Sequence, residues 1–331
     1  MSNPGLSVEQ MQEAVDVLDR FHGNRSAAAR HLKMDRHTFN NRVDKGHMAG
    51  LLPNVKPAKP RIRVPARSVY SPLPNEGGEA VRVLVWGCAH DSPLIPDKSR
   101  FRNAGKLASD LRPHYIVDLG DSLDLDSLST HAVPGSSDDR ARPAFLAEVG
   151  SLEEAYAEFD ATAPSADEIP RYHLKGNHEH RADRFEANNP AAAGVYTTPV
   201  AQVFARLGFT EMQYREWLYL EGVGFTHAPI TGTGREIGGK FPDQMVAQEA
   251  THSIVWSHTH KSVKVNRPKF GIGNAIQVFN TGSFMPTGYL KAYAGLATTG
   301  WTYGIHELTL RDGQIESQRT WSERELRERF G

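Results

Sequence analysis

The sequence predicts an α/β protein in two parts: a small all-α unit, then a larger domain with a mixed sheet or two stacked sheets. Three observations carry this. From about residue 80, short apolar runs of strand length alternate with stretches whose apolar residues recur at helical spacing, and the end of the chain is strand-rich. The first 50 residues hold three short helical patterns punctuated by turn residues. Charge separates the two parts: Arg25 to Arg67 contain 11 Lys or Arg against two acids, whereas the whole chain of 331 residues has a net charge of −1. The remainder is therefore acidic.

The elements follow in order. LSVEQMQEAVDVLDRFHGN gives a first helix ending at Gly23, and RSAAARHLKM a second. Asp35 is a good N-cap for a third, RHTFNNRVDKG, which stops near Gly46. Helix, short helix, tight turn and polar third helix is the helix-turn-helix order, so residues 1–50 form one domain. Repeated prolines and cations across 51–79 predict an extended linker. In 80–320, AVRVLVWG is a buried strand, KSRFRNAGKLASDLR a helix and HYIVDLG a second strand. PAFLAEVGSLEEAYAEFDA is a long amphipathic helix, and RYHLKG a third strand. A helix around TPVAQVFARLG, strand VGFTH, a helix around PDQMVAQEATH and strand SIVWS come next. SVKVN, AIQVFN and TYGIHELTL complete the strands, and 321–331 is a C-terminal tail.

Bulk properties bound the function. The chain is 39% hydrophobic and 23% charged, ordinary for a soluble protein, and its near-zero net charge does not point to nucleic acid as a partner of the whole chain. One cysteine excludes an intramolecular disulfide and fits a reducing compartment. No signal-peptide pattern opens the chain and no apolar run approaches a membrane span, so a cytoplasmic protein without a membrane partner is expected.

Chemistry-bearing residues gather where the strands end. The first strand ends in Cys88-Ala89-His90, the second in Gly120-Asp121-Ser122-Leu123-Asp124, and the third in Gly176-Asn177-His178-Glu179. Later strands end in Thr226-His227 and Ser257-His258-Thr259-His260. Loops beyond the strand ends of an α/β sheet are where ligands bind. A single histidine so placed is ordinarily structural; five such turns in series point to a site. Mixed oxygen and nitrogen donors without a CxxC pattern suit Mn, Fe, Zn, Co or Ni.

This ordered series resembles the calcineurin-like metallophosphoesterase family, whose motifs run D-x-H, G-D-x-x-D, G-N-H-D/E, a lone H and G-H-x-H. The likeness spans Val81 to Leu310, and Asn280-Thr281-Gly282-Ser283 resembles the family's closing turn. The resemblance implies a two-sheet sandwich flanked by helices and two divalent metal ions. Asp121 would bridge the metals. Cys88, His90 and His260 would complete one site, and Asn177, His227 and His258 the other. His178 would face the phosphate as general acid or charge stabiliser, oriented by Asp124, with Arg181 and Arg184 adding positive charge. A metal-bridging hydroxide would attack in line.

Two positions depart from the family pattern: Cys88 stands where aspartate is usual, and Ser257 where glycine is usual. Cys88 reads first as a ligand favouring zinc or iron, then as a neutral residue in a weakened site, and last as a nucleophile. Gly120-Asp121-Ser122-Leu123 mimics a serine-esterase block, but the partner histidine block is missing. Gly234 to Lys240 nearly matches a P-loop, yet Phe241 replaces the metal-binding Ser/Thr. That segment reads as a mobile loop beside the metals, with Arg235 and Lys240 either meeting substrate phosphate or simply solvated. His173 and His180 read as structural.

In the first part, GNRSAAARHLKMDRHTFNNRV resembles the helix-turn-helix of bacterial Fis-like regulators. It would offer Arg36, His37, Asn40, Asn41 and Arg42 to a major groove or its phosphates; the competing reading is a helical cap. The functional expectation is a metal-dependent phosphodiesterase, a nuclease, acting on nucleic acid. The alternatives are a phosphomonoesterase for a protein or small ester, and a DNA-binding regulator whose phosphoesterase domain no longer catalyses.

Overall fold

The computed structural model describes residues 6–53, 79–131, 134–270, 275–289 and 300–331. The chain divides into two compact units, Met1–Tyr70 and Ser71–Gly331. Most of the expected linker, 51–79, lies outside the described residues.

The first unit is a trio of helices: α1 (Val8–Arg20), α2 (Arg25–His31) and α3 (Arg36–Met48). Each start is capped by a side chain. Ser7 and Gln10 form a capping box, Asn24 accepts from the Ala27 N–H, and Asp35 accepts from the Thr38 N–H. Ala14, Val17, Ala28, Ala29, Phe39 and Val43 make the core. The third helix runs past Gly46 instead of stopping there. Gly46 is a packing residue, since a Cβ on it would lie 2.9 Å from Val15 Cγ2. The turn after the helix falls to Gly50, at φ +74°.

The second unit begins with β1 (Val81–Trp86), α4 (Ser99–Leu111), β2 (Tyr115–Asp118), α5 (Ser137–Arg140), α6 (Phe145–Asp160) and β3 (Arg171–Leu174). Then come α7 (His180–Asn188), α8 (Thr197–Arg206), β4 (Phe209–Met212), β5 (Leu218–Leu220), β6 (Val223–Phe225), α9 (Pro242–Glu249) and β7 (Ile254–Trp256). It closes with β8 (Ser262–Pro268), β9 (Ala275–Thr281), β10 (Ile305–Arg311), β11 (Gln314–Trp321) and α10 (Glu323–Phe330). The strands form a six-stranded sheet, β11-β10-β1-β2-β3-β4, and a five-stranded sheet, β5-β6-β7-β9-β8. In the first, β1 to β4 are parallel, and in the second β6, β7 and β9 are.

Side-chain alternation along the strands explains the layering. Val83, Val85, Val117 and Leu119 of the first sheet meet Val223, Phe225, Val255 and Phe279 of the second in the intersheet core. On the first sheet's other face, Leu84, Trp86 and Ile116 pack on Phe101, Leu152, Phe159 and Phe204 of α4, α6 and α8. Ile254, Trp256 and Val278 cover the second sheet's far face with Val246 and Ala247 of α9. The result is the expected two-sheet α/β sandwich flanked by helices.

The strand-rich end differs from expectation in detail. Residues 321–331 are not a loose tail: Trp321 ends β11, and α10 buries Leu326 in the same core as α4. The sequence does not announce β4, β5 and α7: β5 is only three residues long, and β4 and α7 carry no distinct apolar run.

Truncating Phe39, fully buried at the centre of the small core, should cost about 3–5 kcal/mol. Amide exchange across residues 8–48 of full-length Phe39→Ala should accelerate strongly; parent-like protection would show that this core does not hold the helices together.

Candidate metal centre

Backbone ladders continue beyond the strand ends and stitch the loops together. Cys88 N–H donates to Gly120 C=O, His90 N–H to Asp121 C=O and Asp91 N–H to Ser122 C=O, each at 2.8 Å. On the second sheet, Ser257 N–H donates to His227 C=O at 3.0 Å. Ser283 joins the sheets by donating from Oγ to Cys88 C=O at 3.0 Å. Close approach demands two of the glycines. A Cβ on Gly120 would stand 2.1 Å from Leu174 O, and one on Gly176 2.1 Å from Asp121 Oδ1. Cys88, His90, Asp121, His258 and His260 all have φ between 43° and 77°, the left-handed region that non-glycine residues rarely occupy. Such backbone concentrates at functional sites.

These loops bring the expected donors into contact. Ligand atoms of Cys88, His90 and His260 lie within 4.8 Å of one another, as do those of Cys88, Asp121 and His227, and those of His90, Asp121 and His178. Asn177 Oδ1 stands 3.1 Å from His227 Nε2 and 2.9 Å from His258 Nδ1. His227 Nε2 is also 3.2 Å from Asp121 Oδ2. His90 Nε2 and His260 Nε2 face each other at 3.0 Å.

Outward hydrogen bonds fix the histidine rings. His227 Nδ1 donates to Leu119 C=O at 2.7 Å, and His178 Nδ1 to Asp124 C=O at 2.7 Å. His90 Nδ1 pairs with Asp124 Oδ1 at 3.0 Å. Each Nε2 thereby points into the interior, the arrangement of metal-ligating histidines. Asp124 thus serves both rings, with its carboxylate on His90 and its carbonyl on His178.

Electrostatics agree. Burial alone would push the Asp121 carboxyl up, but His227, His178 and His90 hold it well below the usual carboxylate range. Burial presses on His227 too, and Asp121 outweighs it, so that ring's pKa rises. Burial lowers His178 and His258 to about 4 and His260 to about 3, so these rings are neutral at pH 7. Burial, then the Asp121 charge, pushes the Cys88 thiol well up. A protonated thiol is a poor nucleophile.

The structure adds partners that the sequence reading left unassigned. Glu179 accepts from the backbone N–H groups of Ser122 (2.6 Å), Gly176 (2.9 Å) and Asp121 (3.0 Å), clamping two loops. Its offset of three from Gly176 was the available signal. Ser257 Oγ sits 3.0 Å from Cys88 Sγ, and the His258 N–H donates to that sulfur at 3.2 Å. The two departures from the family pattern are therefore in contact. Asp118 gathers Ser122, Tyr156 and His173 beneath the site, and Asp91 gathers Lys98, Arg100 and Ser151.

Other expected residues lie as follows. Arg181 is buried, donating to Asp124 C=O at 2.9 Å with Nη2 3.3 Å from His178 Nε2, so it braces the loop rather than facing open space. Arg184 is exposed. His173 is buried against Phe204, and His180 stacks on Tyr214. In the segment resembling a P-loop, Arg235 and Lys240 are exposed, and it is Glu236 that approaches the donors, with Oε2 3.4 Å from His258 Nε2. In the first unit, Arg36, His37 and Asn41 are exposed on α3, whereas Asn40 and Arg42 are half-buried. Among the described residues, no helix is long and apolar enough to cross a membrane.

Residues 15–46 match a family model described as bacterial regulatory protein, Fis family. No curated protein matches the chain. Similar solved structures include the phosphoesterase Yfce from E. coli, 17% identical with TM-score 0.33, the match covering 72% of this chain and 98% of that one. Vacuolar Protein Sorting 29 from Cryptosporidium parvum is 15% identical with TM-score 0.33, covering 74% and 100%. Wild-type Vps29 from Entamoeba histolytica, complexed with zinc, is 12% identical with TM-score 0.30, covering 72% and 97%. These likenesses are distant. The chain resembles calcineurin-like metallophosphoesterases in the order of its strand-end motifs, and Fis-family regulators in its first unit.

Gly176→Ala should drive a methyl into Asp121 Oδ1. Metal uptake should weaken by about 10-fold or more while far-UV circular dichroism stays that of the parent. Parent-like uptake would mean that Asp121 does not need this close approach.

Proposed function

We propose that the second unit is a dinuclear-metal phosphoesterase acting on phosphodiester bonds of nucleic acid. The observation that carries the metal reading is the inward aim of Nε2 on His90 and His227, each turned by an outer oxygen and each close to the buried carboxylate of Asp121. Asp121 is shared between Cys88, His90 and His260 on one side and Asn177, His227 and His258 on the other. This donor set fits two borderline cations such as Mn, Fe, Zn, Co or Ni, with Cys88 drawing the choice towards zinc or iron. When bound, such ions supply Lewis acidity and lower the pKa of an attacking water.

The chain's own residues account for the rest. Asp124 and the Leu119 carbonyl orient the rings that would hold the ions. The His258 N–H, which donates to Cys88 Sγ, would stabilise that sulfur as a thiolate ligand. His178 is neutral, with Nδ1 donating to Asp124 C=O and Nε2 beside the Arg181 guanidinium, which argues against a general-acid role for the ring. Arg184, exposed on α7, would meet substrate phosphate.

The Fis-family match and the exposed Arg36, His37 and Asn41 support nucleic acid as the substrate class. Cleavage should be read on long DNA or RNA, alongside bis-p-nitrophenyl phosphate and p-nitrophenyl phosphate. Turnover of the monoester alone would move the assignment to a phosphomonoesterase. Inactivity with all five metals would leave a DNA-binding regulator.

Two substitutions test the parts. Cys88→Ala should lower metal content from about two ions per chain to about one by elemental analysis; unchanged content would remove Cys88 from the ligand set. Arg36→Ala should weaken binding to unrelated DNA sequences alike and reduce the slope of log affinity against log salt by about 1. An unaltered slope would take Arg36 off the phosphate backbone.

A further inference from the structure

We infer that Glu236 is a positioning residue for the metal centre: with Tyr214 it aims the His258 ring, making the 228–241 loop a working part of the site. This rests on the metal reading above. His258 has two ring nitrogens with different tasks. Nδ1 lies 2.9 Å from Asn177 Oδ1 and so faces the shared donors, while Nε2 stands 3.4 Å from Glu236 Oε2. A carboxylate on the outer nitrogen of a ligating histidine fixes its tautomer and orientation and raises its basicity.

Glu236 is itself held. The Tyr214 hydroxyl donates to its other oxygen, Oε1. Tyr214 stacks on the His180 ring, with centroids 4.5 Å apart and planes 23° apart. His180 begins α7, directly after the loop that carries Asn177 and His178. The contacts therefore close a circuit: Asn177, α7, His180, Tyr214, Glu236, His258 and back to Asn177. The loop's backbone fits it to this task. Ile230 and Glu236 form an antiparallel bridge, the Thr231 N–H donates to Arg235 C=O at 2.7 Å, and the Ile237 N–H donates to Pro229 C=O at 2.9 Å. Ile237 is buried in the core under α9, which anchors the residue next to Glu236.

The test is equilibrium titration of the full chain with Zn²⁺ alone and with Mn²⁺ alone, for the parent, Glu236→Gln and Tyr214→Phe. Amide exchange of residues 228–241 is followed in the metal-free proteins. Glu236→Gln should keep the parent's number of ions but weaken one of them by about 10–100-fold. Tyr214→Phe should weaken the same ion less and speed exchange in the loop. Unchanged affinities in Glu236→Gln, or unchanged exchange in Tyr214→Phe, would overturn the inference. Complete loss of one ion would overturn it in favour of direct ligation by Glu236. The parent titration reports on the metal reading separately: if the parent takes up no ion, that reading fails, and the role of Glu236 with it.

Discussion

A carboxylate with almost no exposure cannot stay ionised unless charge or hydrogen bonds replace its lost water. Asp121 is 1% exposed and ionised, and much of the surrounding architecture answers that constraint. Histidines from both sheets crowd it: His90 and His178 follow β1 and β3, and His227 follows β6. Each is turned by an oxygen on its far side, so the requirement spreads outwards to Asp124 and to the Leu119 carbonyl. Glu179 carries it further, since its carboxylate pins the backbone on both sides of the aspartate. Two cations among these donors would meet the same need more completely than the rings alone.

Backbone conformation shows how tightly the arrangement is determined. Five donor-bearing residues occupy the left-handed region, at a cost of order 1–3 kcal/mol each where side-chain branching or neighbours resist it. They stay there because their amides and carbonyls are bonded across loops: Cys88 to Gly120, His90 to Asp121, and His260 to Thr302. Glycine is kept for positions where even a methyl would collide, as at Gly120 and Gly176.

Much of this was legible in the sequence because strand-end chemistry is local. The apolar runs before Cys88, Asp121, Asn177, His227 and His258 place those residues in loops at one edge of parallel strands, and the sandwich gathers the loops. The alternating pattern likewise announced the layers, and Asp35 marked the start of the third helix. What stayed hidden depends on long-range contact. Nothing near Ser257 says that it touches Cys88, 169 positions away. Glu236 lies in a loop notable in sequence for its cations, and only the fold reveals that its carboxylate stands 3.4 Å from the outer nitrogen of His258. Arg181 looked available because helix α7 was not foreseen; once formed, that helix turns the guanidinium inwards. Trp321 and α10 read as a tail because six charged residues around one buried leucine leave little periodicity to detect.

The donors are divided between the two sheets. Cys88, His90, Asp121, Asn177 and His178 follow strands of the first, whereas His227, His258 and His260 follow strands of the second. The centre therefore works as a vernier between two stacked plates. A slip of the plates by a fraction of a residue would separate Asn177 from His258 and His90 from His260 while leaving every strand intact. Phe225 and Phe279, fully buried between the sheets, set that alignment. Substitutions at this depth would thus pull the donors out of register without touching one of them, and the spacing of the cluster would register wear in the core before the helix content did.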